Sequence, residues 1–240
     1  MAVMIIVVNS SGGLRFGSWR SSVSTHAGLV MITIRRPSDR DVDQFLAVQR
    51  SLPFSYQYAG CSRGQRGLPT GYAVGHYRVC LGGGRNCFVA AQQAMRRWRM
   101  FPDGVTPHPA QPDIHDGTCV AVRMRAPGCW VLAACRVVYV VDERVEGAHG
   151  TVSRFGFAYG TLPGHVARGE ERFLVEWCEA DEGVWFDLLA ISEPQPFVLW
   201  LGLPLMRFYQ RRFVVNSCRA MCAATANAAH LAADERSVRP

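Results

Sequence analysis

The chain has 240 residues, 49% hydrophobic and 19% charged, proportions that suit one globular domain with a substantial core and argue against a disordered chain. Its net charge of +7 comes from 26 basic residues that are all arginine, spread from Arg15 to Arg239 with no block longer than two and no basic stripe interleaved with stacking aromatics, which argues against a nucleic-acid partner. No stretch reaches the roughly 18 apolar residues that a membrane-crossing helix needs, and the longest candidate, Phe197 to Leu203, is far too short.

The opening Met-Ala-Val-Met-Ile-Ile-Val-Val lacks the positive start and apolar length of a signal peptide. Residues 10–30 are weakly patterned, so residues 1–30 read as a poorly ordered extension with Met31 as the natural start, residues 31–233 as a single domain and 234–240 as a tail. Pro37-Ser38-Asp39 followed by Val42, Phe45, Leu46 and Val48 predicts a capped helix ending near Ser51-Leu52-Pro53. A loop rich in Gly, Ser and Arg runs to Pro69, and Thr70 to Leu81 predicts a strand. Gly82-Gly83-Gly84 breaks it, then Phe88, Ala91, Met95 and Trp98 mark a helix face that Phe101-Pro102 ends.

Residues 102–116 hold four prolines and read as a long loop. Five strand-like runs follow, at 118–125, 130–141, 154–162, 171–178 and 184–191, and their turn-bounded spacing suggests an antiparallel meander. A last helix is predicted from Leu203 to Ala233, with Pro204 in its first turn and Met206, Tyr209, Phe213, Ser217, Ala220 and Ala224 on one face. The order defines an α+β fold of the helix-grip kind, a curved antiparallel sheet wrapped around a long C-terminal helix whose apolar face needs a concavity to fill.

Nine cysteines form an odd set without a Cys-x-x-Cys pair, most of them in apolar stretches, and so read as reduced core residues of a cytoplasmic protein. Cys218 and Cys222 share a helix face, but no His or Asp stands at ligand spacing beside them, so neither a metal nor a cofactor is expected. No nucleophile elbow, His-Glu-x-x-His or dinucleotide fingerprint occurs. Gly82-Gly83-Gly84 before a helix lacks the following Lys-Ser/Thr of a phosphate cradle and reads as a turn.

Three segments form a dense signature: Arg136-Val-Val-Tyr-Val-Val-Asp-Glu143, Arg154-Phe-Gly-Phe-Ala-Tyr-Gly-Thr-Leu-Pro-Gly-His165 and Arg168-Gly-Glu-Glu-Arg-Phe173. With Gly71-Tyr72, His76, Arg78, Trp98, Phe101-Pro102, Gln210-Arg-Arg-Phe213, Ser217 and Met221, the chain resembles the domain-of-unknown-function family numbered nineteen-ninety over residues 34–224. The resemblance implies a shared helix-grip-like fold and brings no activity, cofactor or substrate. It also implies Asp where this chain has Gly75, Glu where it has Ala167, and a short turn where residues 144–153 are inserted.

Alternation along 154–162 places Phe155, Phe157, Tyr159 and Thr161 on one face and Arg154, Gly156, Ala158 and Gly160 on the other, so something bulky must approach the small face, either packed protein or a ligand. The turn from Leu162 to Arg172 is the richest polar cluster. There His165 is a candidate general base, Glu170 or Glu171 its orienter, and Arg168 and Arg172 candidates for holding an anion, against the alternative of a solvated hairpin. Arg136 falls mid-strand with Leu132, Ala134, Val138 and Val140 and needs a partner, for which Asp187 is the candidate. His76 and Arg78 share a strand face, and Tyr139 and Tyr159 are candidates to supply hydroxyls to a cavity. The leading expectation is a pocket between sheet and helix for a small apolar or amphipathic molecule with a polar or anionic end, oriented by Arg136, Tyr139, Tyr159 and His76. The alternatives are an enzyme using the His165 turn and a membrane-surface or protein-interaction module docking through Phe197 to Leu203.

Overall fold

The computed structural model describes residues 4–8, 14–18, 31–64, 71–147, 150–194 and 203–237. Strands β1 (Met4–Val8) and β2 (Leu14–Ser18) pair with each other within the tract 1–30, and β1 also pairs with β3 (Met31–Thr33). Helix α1 (Asp39–Gln49) starts at a capping box, in which Asp41 N donates to Ser38 Oγ at 3.3 Å and Ser38 N to Asp41 Oδ2 at 2.9 Å. A strap then crosses the sheet through a short 3-10 turn at Cys61–Arg63. Strand β4 (Ala73–Gly83) leads directly into α2 (Gly84–Arg96).

The five predicted strands are present as β6 (Cys119–Ala126), β7 (Cys129–Gly147), β8 (Gly150–Thr161), β9 (Ala167–Cys178) and β10 (Gly183–Pro194). The proline-rich stretch expected to be all loop contains β5 (Val105–His108), paired with β6, because Pro107 sits in a four-residue strand that lies at the sheet margin. The inserted residues 144–153 lengthen the β7–β8 hairpin, where Arg144 pairs with Ser153. The final helix, α3 (Leu203–Ser237), continues past the expected end near Ala233.

The strands form an antiparallel sheet in the order β5-β6-β7-β8-β9-β10-β4, with β3 beside the start of β7. Its two faces are covered by different parts of the chain. Phe155 and Phe157 of β8, Phe173 and Val175 of β9, and Phe186 and Leu188 of β10 form one core with Ala91, Met95, Trp98 and Phe101 and with Val214 and Met221 of α3. Each of the four phenylalanines on the strands, Phe155, Phe157, Phe173 and Phe186, is at most 1% exposed, and burying a side chain of that size contributes about 1.5–3 kcal/mol. This is the curved antiparallel sheet gripping a C-terminal helix that the element order implied. On the outer face α1 packs Val42, Phe45 and Leu46 against Ala121, Leu132, Ala134 and Leu162, a second, smaller core.

One irregularity decides which side chains face which core. The β7–β8 register runs Val137↔Tyr159 and then Tyr139↔Ala158, so Val138 is an extra residue in a β-bulge. Arg136 remains on the outer side with Leu132 and Ala134, but beyond the bulge Tyr139 also turns outward while Val140, opposite Phe157, turns toward α2 and α3. The expectation that Val140 shares a face with Arg136 fails for this reason.

Candidate functional site

On the helix-covered face one row of register partners reads Gly75, Ala190, Glu171, Tyr159 and Val137 across β4, β10, β9, β8 and β7. Tyr159 Oη donates to Glu171 Oε2 at 2.6 Å. The rings of Phe173 and Phe101 stand 5.4 and 6.5 Å from the Tyr159 ring, and Trp98 packs at 4.8 Å on Phe157 while its Nε1 donates to Pro112 O at 2.9 Å. Among these apolar walls burial pushes the Glu171 carboxyl up to about 7, against the opposing pull of the Tyr159 hydrogen bond. Burial first, and the Glu171 charge second, push the Tyr159 phenol well above its ordinary range. Glu171 is half-buried, and its Oε1 has no hydrogen-bond partner among the described residues.

The next row, Tyr77, Leu188, Phe173 and Phe157, leads to the sheet edge. There a groove of about 380 Å³ runs along the seam between β4 and α3, lined by Tyr77, Arg78 and Val79 on one side and Val214, Val215, Cys218, Arg219 and Cys222 on the other. The Tyr77 ring lies over Gly75, where a Cβ would come within 2.9 Å of its Cε2. Position 75, at which the resemblance implies an acid, therefore belongs to the row of Glu171, whereas position 167, opposite Pro194, lies at the far end of β9.

The other predicted residues gather on the outer face. Glu170, 3% exposed, accepts from Tyr56 Oη at 2.7 Å, Gly60 N at 2.7 Å, Ser62 N at 3.0 Å and, at very short range, Ser62 Oγ. Four donors replace the water this carboxylate has lost, so it clamps the strap instead of orienting a base. Ser62 Oγ also meets Tyr139 Oη at 2.6 Å, and the Arg63 guanidinium lies 4.2 Å from the centre of the Tyr139 ring. Gly160 is the bulky group's landing place anticipated from the alternation: a Cβ there would collide with Tyr56 Oη. The approaching group is the protein's own strap.

Asp187 does not pair with Arg136. Its buried carboxylate accepts from Arg172 Nη2 at 2.8 Å and bonds to the exposed His76 Nε2 at 2.6 Å, while Arg172 Nη1 reaches Ser62 O at 2.9 Å. Arg136 instead donates to the backbone oxygens of Arg50 and Leu52 at 2.9 and 2.8 Å, contacts Cys119 Sγ at 3.3 Å and stacks 5.3 Å from the Phe54 ring. Carbonyls left free at the end of α1 thus supply what the expectation assigned to an acid. Arg78 pairs with Glu176 at 2.8 Å, an acid shared with Arg154. Arg168 lies opposite Glu193, with its buried Nε unpartnered among the described residues.

His165 is not brought to either glutamate. Its Nδ1 accepts from Ala167 N at 3.0 Å, and burial lowers the imidazole to about 4. Phe197 to Leu203 lies largely outside the described residues. Among the described residues no group of three or more His, Cys, Asp or Glu is arranged to hold a metal, and no helix is long and apolar enough to cross a membrane. Tyr56, Gly60, Ser62 and Glu176 were not anticipated; the strap gives no periodic signal, and only the paired small residues Gly156 and Gly160 hinted that something crosses there.

The two-sided arrangement, with α2 and α3 over one face and a strap over the other, defines a helix-grip-like α+β protein. The chain belongs to the family described as Domain of unknown function (DUF1990), whose profile matches residues 55–220. It is 33% identical over 208 residues to a UPF0548 protein of Dictyostelium discoideum, covering 80% of this chain and 94% of that protein. A UPF0548 protein of Deinococcus radiodurans is 37% identical over 191 residues, covering 75% and 88% of the two chains. Among solved structures, Ara h 8.0201 is similar with a TM-score of 0.40 and 11% identity, covering 65% of this chain and 99% of that one.

Proposed function

We propose that the protein binds a small, largely apolar molecule between the sheet and α3, entering along the β4–α3 seam. The observation that carries this reading is the seam groove of about 380 Å³, within the range of roughly 300–1,000 Å³ typical of ligand sites. The Tyr77 ring, which lies over Gly75, forms the wall between this groove and the row of the Glu171–Tyr159 pair. Nine free thiols fit a reducing, cytoplasmic setting. Tyr159 is the member of the expected orienting set that lies on this face, because Arg136, Tyr139 and His76 belong to the outer one. The test is native mass spectrometry of the purified full chain under gentle and denaturing conditions. A stoichiometric apolar species released on denaturation, and lost in Cys218→Trp, which fills the groove from α3, with the fold intact by circular dichroism, supports the reading. A clean mass together with no thermal stabilisation by apolar probes overturns it.

A second reading, a surface that docks on membranes, rests on α3. Phe208 (56% exposed), Arg212, Val215 (45% exposed) and Arg219 follow at steps of four, three and four and share its solvent side. Co-sedimentation with anionic but not neutral vesicles, abolished by Phe208→Ser with Val215→Ser, is the expected outcome. Acid/base catalysis from the His165 turn gains no support from this geometry, since His165 is bonded to backbone and Glu170 to the strap.

A further inference from the structure

The α3 flank of the seam groove is built in two rows of residues four apart. Val214, Cys218 and Cys222 form the inner row, and the exposed Val215 and Arg219 form the rim. Opposite them Tyr77 and Val79 pack toward the helix, and Arg78 also lines the groove, but its guanidinium is held by Glu176 at 2.8 Å and lies 5.1 Å from the centre of the Trp185 ring. Arg219 has no ion pair or hydrogen bond among the described residues. We propose, resting on the ligand-binding reading above, that the apolar molecule in this groove ends in an anionic oxygen head, a carboxylate or phosphate, which pairs with Arg219 at the rim.

The charge around the groove has one sign. The sequences of β4, α2 and α3 contain Arg78, Arg85, Arg96, Arg211, Arg212 and Arg219 but no aspartate or glutamate before Asp234. An ammonium head would therefore meet cations and no acid of these elements, and a hydroxyl would gain nothing from the charge of Arg219. A carboxylate or phosphate matches the planar fork of the guanidinium, which presents parallel N–H donors to two oxygens. Because Arg219 is exposed, its aliphatic stem can extend the apolar wall beyond Val215 while the head group stays wet. The anion then keeps most of its hydration, and the large desolvation cost of a buried pair does not arise. In this arrangement Arg219 takes the part expected of Arg136, whose guanidinium is committed to the carbonyls of Arg50 and Leu52.

The experiment compares 1-decanol, decanoate, decyl phosphate and decylammonium as monomeric probes of the full chain, with affinities from displacement of an apolar fluorophore. The series is repeated at high salt and on Arg219→Gln, Arg85→Gln and Cys218→Trp, each checked for fold by circular dichroism. Decanoate and decyl phosphate are expected to bind about fivefold tighter than decanol, the scale of an exposed ion pair, with decylammonium the weakest. High salt should shrink that preference, and Arg219→Gln should remove it while leaving decanol unchanged. Arg85→Gln, which takes the same charge from α2 outside the groove, should retain it. Cys218→Trp should weaken every probe. Displacement by decanol without a preference for the anions, or a preference that survives Arg219→Gln or falls equally in Arg85→Gln, would overturn the head-group assignment and leave the groove intact. Binding to vesicles of phosphatidylglycerol without binding of monomeric decanoate would place the anion in a membrane and overturn the proposal. Failure of every probe, decanol included, overturns the pocket reading and the head-group assignment with it.

Discussion

The Tyr56 hydroxyl reaches Glu170 at 2.7 Å by passing directly over Gly160, so a residue of the strap and a residue of β9 are joined through the space a missing side chain leaves. Gly160→Ala should therefore displace the phenol and cost about 1–3 kcal/mol, the usual range for overpacking. Urea unfolding of the full chain measures it. A Gly160→Ala protein as stable as the parent would show that the strap does not depend on this approach.

Glu170 and Glu171 are neighbours in sequence with opposite surroundings, and their amide variants should separate. Glu170→Gln turns an acceptor of four donors into a group that must present its own N–H to some of them, at a cost of about 3 kcal/mol. Glu171→Gln keeps the Tyr159 hydrogen bond and should change unfolding free energy at low pH little. Equal losses in the two variants would contradict the assignment of one to the strap and the other to the helix-covered face.

Stability should depend on pH in two opposed ways. Glu171 stands at about 7 when folded against an ordinary 4.5, so the folded state holds its proton more tightly; that contribution is complete below 4.5 and is lost as pH rises through 7. His165 stands at about 4 against 6.5, so its contribution is present above 6.5 and lost as pH falls through 4. Glu171→Gln should flatten the decline of Tm on the alkaline side of this window. His165→Asn, whose amide oxygen can still accept from Ala167 N, should flatten the acid side.

Asp187 bridges Arg172 and His76 unequally. Asp187→Ala would strand the largely buried Arg172 guanidinium and cost about 3–5 kcal/mol, as breaking a buried pair does. His76→Ala removes a side chain that is 56% exposed and should cost less than about 1 kcal/mol. Thermal unfolding of both variants distinguishes this from an arrangement in which His76 is the essential partner.

Thiol reactivity should follow burial. Burial pushes the Cys135 thiol well above its ordinary range, and the residue is 1% exposed, whereas Cys80 is exposed on β4. Timed alkylation with iodoacetamide and peptide mapping should find Cys80 modified early and Cys135 only on unfolding.

Most elements were legible in the sequence because each has its own period or punctuation. The Ser38 cap and the alternation of β8 are local signals that the structure uses where they stand, whereas the strand expected to break at Gly82 runs on to Gly83 and passes into α2 at Gly84. The strap was not legible, since its hold comes from Tyr56, Gly60 and Ser62 meeting Glu170 across more than a hundred residues of chain. Nor was the division of the candidate residues between faces. Strict alternation assigns a side to Tyr139 only if no residue is inserted, and the pairing that reveals Val138 as extra exists only after β7 and β8 have met. Arg136 shows a related limit: a buried cation signals that a partner is needed, and carbonyls satisfy that need as well as a carboxylate does.

In a regular strand, residues three apart point to opposite sides, so β7 could ordinarily hold the strap at Arg136 or at Tyr139 but not at both. The extra residue between them removes that choice. Arg136 grips the entry of the strap at Phe54, and Tyr139 grips its exit at Ser62 and Arg63. A single strand thus rivets both ends of a crossing segment, and the spacing between the rivets is set by one inserted valine.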